Sequence, residues 1–119
     1  MTRRFTAIAS DPAYARELVR SHLTGVAPEV IENAQTIVSE LVTNAIVHGP
    51  GEASLVIEVR ESCLHVEVLD AGPAVEIEPL TVEPSSVRGR GLTIVDCLAS
   101  SWGVERRRVG KSVWFDLNL

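Results

Sequence analysis

Glu40, Asn44 and His48 recur at every fourth position of one apolar-periodic stretch. Four residues advance an α-helix by about 400°, so the three side chains fall along one slowly drifting stripe, with Thr43 beside it. A carboxylate that can orient or deprotonate a hydroxyl or water, one turn from an amide oxygen that can ligate Mg2+, suits phosphoryl transfer from a magnesium nucleotide. Asp70-Ala71-Gly72 forms a second group. An aspartate fixed at a strand end can accept the exocyclic amine proton of adenine, and the glycine permits close backbone approach. Gly89-Arg90-Gly91-Leu92 forms a third. Two glycines opening a helix let backbone N–H groups reach phosphate oxygens, the helix dipole favours the anion, and Arg88 and Arg90 add positive charge. No Gly-Lys-Ser/Thr follows and no third glycine stands at dinucleotide-fold spacing, so this is neither a Walker A loop nor a Rossmann fingerprint. Read singly, each group has an ordinary alternative: a solvated helix face, a turn after a strand, a loose helix start.

The elements that must position these groups are legible from periodicity. Phe5 to Ala9 reads as a short strand, closed by Ser10-Asp11-Pro12, where Asp can cap a helix and Pro suits its first turn. A helix follows from Pro12 to about Leu23, with Ala15, Leu18, Val19 and Leu23 on one face and Gly25 beyond its end. Pro28 opens a longer helix to about Val47, stopped by Gly49-Pro50-Gly51. Two alternating stretches, about 54–60 and 63–69, predict a hairpin through Glu61-Ser62. A lid-like loop occupies about 71–88, containing Pro73, Pro79 and Pro84; a loop this long inside a domain is usually functional. A third helix is expected over 90–99, then strands near 102–106 and 112–117. The order β-α-α-β-β-loop-α-β-β predicts an α/β two-layer sandwich: a mixed, mostly antiparallel sheet covered on one face by about three helices.

Bulk properties narrow the function. The 119 residues suit one domain spanning 1–119. With 45% hydrophobic residues but two Trp, two Phe and one Tyr, the core is aliphatic. A net charge of −5 disfavours direct nucleic-acid binding, and Arg106-Arg107-Arg108 reads as a solvated turn between strands. Cys63 and Cys97 match no zinc or redox spacing and are expected as buried, reduced thiols. No segment resembles a signal peptide or reaches the roughly 20 apolar residues of a spanning helix, so a cytoplasmic protein without membrane contact is expected.

In their order and surroundings the three groups resemble the GHKL (Bergerat-fold) ATPase and kinase family. Glu40-Leu41-Val42-Thr43-Asn44-Ala45 is similar to its N box, Asp70-Ala71-Gly72 to its G1 box, and Gly89-Arg90-Gly91-Leu92 to its G2 box. The likeness extends across essentially the whole chain, including Trp102-Gly103-Val104 and Gly110-Lys111-Ser112-Val113-Trp114-Phe115, and the chain is similar to the short stand-alone anti-sigma-factor serine kinases common in actinomycetes. The resemblance implies ATP and Mg2+ as cofactors, with Glu40 as base or water-orienting carboxylate and Asn44 as the Mg2+ ligand. Asp70 would hold adenine, Gly72 would allow close approach to the base, and Gly89, Arg90, Gly91 and Leu92 would cradle the phosphates. Ser112 would contribute a hydroxyl near the adenine, and the role of His48 is left open. The implied partners are a STAS-type anti-sigma-factor antagonist, which would be phosphorylated, a sigma factor, and a second copy in a homodimer.

The chain departs from the pattern after Gly72, where Pro73 and Ala74 replace the second G1 glycine, and in its acidic lid, with Glu76, Glu78 and Glu83. Two functions therefore compete: a serine/threonine protein kinase, and a regulatory binding module acting through protein contacts with weak or no ATP binding. A metal-dependent hydrolase using His22, His48 or His65 lacks any paired ligand spacing.

Overall fold

The computed structural model describes residues 2–48, 51–70, 90–106 and 110–119; side chains at 48, 90–92 and 106 lie outside that set. The elements are β1 (Arg3–Ala9), α1 (Pro12–Ser21), α2 (Pro28–His48), β2 (Ala53–Val59), β3 (Cys63–Asp70), α3 (Arg90–Leu98), β4 (Ser101–Arg106) and β5 (Lys111–Asn118). The five strands form one sheet in the order β1-β2-β3-β5-β4. The expected lid over 71–88 lies outside the described residues.

Local chemistry accounts for the helix boundaries. Asp11 caps α1, its Oδ1 accepting the Ala13 N–H at 2.8 Å, with Pro12 in the first turn. The helix stops at Ser21, earlier than periodicity suggested. Leu23 is nevertheless 1% exposed, held inward by the turn before Gly25, whose φ of +82° suits glycine. α1 packs beside α2 through Arg16, whose guanidinium donates to Ser39 Oγ at 2.9 Å and whose carbonyl accepts from Gln35 at 3.3 Å.

β3 shows the alternation of a half-covered strand. Leu64, Val66, Val68 and Asp70 are buried, while Cys63, His65, Glu67 and Leu69 are only partly so. Val68, Val66 and Leu64 stand opposite Val113, Phe115 and Leu117 of β5, and opposite Leu55, Ile57 and Val59 of β2. These inward rows meet Ile37, Val38, Leu41, Val42 and Ala45 of α2 to form the core. Each fully buried Leu, Ile or Phe contributes roughly 1.5–3 kcal/mol of burial free energy.

The expected α/β sandwich with a mostly antiparallel sheet is what forms, and every ladder among the described residues is antiparallel. β3 and β4 do run the same way, being joined through α3, but β5 returns between them and pairs with both. The expectation of two buried thiols needs correction: Cys63 is half-buried and Cys97 exposed. Val95 and Leu98 carry the inward stripe of α3, and Asp96 and Cys97 project outward beside it. Burial does raise the Cys63 thiol above its ordinary range.

Candidate functional site

The register defines one end of the sheet at which several elements meet. β1 ends there at Ala9, opposite the start of β2 at Ala53. β3 ends at Asp70, directly opposite Lys111 at the start of β5, and Lys111 is in turn opposite Arg106 at the end of β4. α2 finishes at His48, shortly before β2 begins, so its last turns lie at this end. α3 finishes at Leu98, just before Ser101, which pairs with Asp116 near the far end; its first turn at Arg90 and Gly91 therefore points back toward Asp70. Thus the backbone carries the C-terminal half of α2, the end of β3 and the start of α3 to one end of the sandwich.

On α2, Glu40 and Asn44 lie five residues beyond Gln35 and Ser39, which is about 140° around the helix. Since Gln35 and Ser39 contact α1, the Glu40–Asn44 stripe faces away from α1, on another flank of α2. Both residues are partly buried. His48 is the last residue of α2.

Asp70 is 8% exposed, an unusual burial for a carboxylate, and the alternation of β3 directs it to the helix-covered side with Val68 and Val66. Buried carboxylates need partners or a ligand, and a buried acceptor at a strand end can select an amine donor. Ser112 lies one position off that row. It stands opposite Leu69 and shares the parity of Trp114 and Asp116, so its side chain belongs to the sheet's other face. Its Oγ is fully buried with no hydrogen-bond partner among the described residues. Gly72 and Gly89 lie outside the described residues; Arg90, Gly91 and Leu92 form the first turn of α3.

The sheet's outer face carries a different cluster that sequence reasoning passed over. His65 Nδ1 lies 2.5 Å from Asp116 Oδ1, and Nε2 lies 3.2 Å from Glu67 Oε2. Ser101 donates to the second Asp116 oxygen at 3.4 Å, and the Trp114 ring centroid lies 5.7 Å from that of His65. With Arg60 and Glu105, the side chains of His65, Glu67, Trp114 and Asp116 line an open depression of about 230 Å³. Arg60 donates to Glu58 at 2.7 Å and holds its carboxyl below the usual glutamate range. Cross-strand parity would have found this cluster, since 65, 67, 114 and 116 share the polar side of two alternating strands. No group of three or more His, Cys, Asp or Glu side chains among the described residues is disposed to hold a metal ion.

Comparison with known proteins places the chain in a family. The family profile described as a histidine kinase-like ATPase domain matches residues 6–117. Similar proteins include the anti-sigma F factor of Clostridium acetobutylicum, 31% identical over 121 residues, covering 91% of this chain and 85% of the relative. The anti-sigma F factor of Lysinibacillus sphaericus is 30% identical over 130 residues, covering 97% and 89% respectively. That of Geobacillus kaustophilus is 33% identical over 110 residues, covering 81% and 75%.

Proposed function

The chain belongs to the histidine kinase-like ATPase family, and on that premise we propose that it is an ATP-dependent anti-sigma-factor serine/threonine kinase. In this reading it phosphorylates a STAS-type antagonist and, when free of it, binds a sigma factor. The support is the meeting of a buried aspartate, a carboxylate–amide stripe and a helix start at one end of the sheet. The anti-sigma F names of the relatives point to the same partner class.

The donor set fits a magnesium nucleotide. Asp70, largely withdrawn from water, accepts the adenine amine and so favours adenine over guanine. The amide oxygen of Asn44 is a hard donor that would hold Mg2+, and the first-turn N–H groups of α3 would receive phosphate oxygens. Bound there, Mg2+ would offset the negative charge of the phosphates. Glu40, one turn before Asn44 on the same stripe, accepts or orients the proton of the attacking serine or threonine hydroxyl. Purified protein incubated with Mg-ATP and its cognate antagonist tests the reading: phosphate on the antagonist is the expected result, and none with any cognate antagonist would reject it.

A second reading rests on Pro73, Ala74 and the acids Glu76, Glu78 and Glu83. In it the chain acts only through protein contacts, with the nucleotide site degenerate. Absence of saturable ATP binding together with retained sigma-factor binding would favour this alternative.

A further inference from the structure

Lys111 has no counterpart among the residues singled out by the three sequence groups, yet the sheet places it at their meeting point. It opens β5 directly opposite Asp70 on one side and Arg106 on the other. Parity puts it on the helix-covered face, in the row of Val113, Phe115 and Leu117. The residue is partly buried, and its side chain takes part in no ion pair or hydrogen bond among the described residues. Even the carboxylate across the ladder is not its ion-pair partner, although opposed strand residues sit within reach of a four-carbon side chain.

A lysine can lay its stem on apolar surface and keep its ammonium free. An ammonium that no carboxylate has taken can pair with an arriving anion. The first turn of α3 points to the same end, with N–H groups that also favour an anion. Asp70 cannot be a phosphate's partner, since both are negative; a base at Asp70 and a phosphate at Lys111 divide the two charges sensibly.

We propose that Lys111 is a phosphate-binding residue of the nucleotide site, its ammonium pairing with a phosphate oxygen of ATP or ADP. The inference rests on the nucleotide reading above and extends it to a residue outside the three motifs. Titration calorimetry with ATP, ADP and adenosine, on wild type, Lys111→Met and Lys111→Arg, separates the two. Wild type should bind all three; Lys111→Met should lose about tenfold or more in affinity for ATP and ADP while adenosine changes less than about twofold. Lys111→Arg should recover most of the loss. Affinity of wild type for ATP should also weaken more steeply with added salt than that of Lys111→Met. Equal effects of Lys111→Met on ATP and adenosine, or no effect on either, would overturn the role of Lys111 and leave the site standing. Wild type that binds neither ATP nor adenosine would overturn the nucleotide reading, and the inference with it. Thermal unfolding of each variant checks that the fold persists.

Discussion

The two faces of the sheet carry polar groups of opposite character. On the outer face His65 is bracketed by Asp116 and Glu67, Asp116 also receives Ser101, and Glu58 is taken by Arg60. At the end of the helix-covered face a carboxylate is buried to 8% exposure and the lysine opposite forms no ion pair with it. Polar groups that satisfy one another hold strands together; a lysine in no ion pair among the described residues keeps its charge for an incoming anion. On the proposed function the more conspicuous cluster, with its histidine, tryptophan and depression, serves the sheet, and the quieter one the nucleotide.

Substitutions on either face test the contrast. The largest effect is expected from Glu40→Gln, which should lower phosphate transfer by about a hundredfold or more while ATP binding persists; parallel loss of ATP binding would make Glu40 a binding residue instead. Gly103→Ala should come next, and on stability alone. A Cβ there would meet the Trp114 ring at 2.8 to 2.9 Å, so the indole must shift, at a cost of about 1–3 kcal/mol by chemical denaturation. His65→Ala should cost about 1–2 kcal/mol, because it strips partners from Asp116 and Glu67, and should leave ATP affinity within about twofold. A large affinity loss in His65→Ala would erase the distinction between the two faces.

Much of this was legible in the chain. The spacing of Glu40 and Asn44 gave their shared stripe, Asp11-Pro12 gave the start of α1, and the alternation of 64, 66 and 68 gave the inward row of β3. Parity in β5 could have found Lys111 too, since Val113, Phe115 and Leu117 point inward and position 111 continues the row. Sheet order was harder. Local pattern says that 112–117 is a strand but not that it returns between β3 and β4, because that placement depends on pairings distant in sequence. The same limit separates Ser112 from Asp70. Family likeness brings them together, whereas the register sets Ser112 opposite Leu69 and on the other face. Exposure of Cys97 escaped notice because cysteine beside apolar residues reads as core until the inward stripe of α3 is fixed by packing on α2.

Asp70 is the buried carboxylate at the end of the sheet where α2, β3 and α3 meet. Calorimetric titration of ATP with Mg2+ into wild type and Asp70→Asn should give saturable binding in the first and a loss of about tenfold or more in the second, with thermal unfolding showing both folded. Unchanged ATP affinity in folded Asp70→Asn would contradict the assignment of this end of the sheet to the adenine.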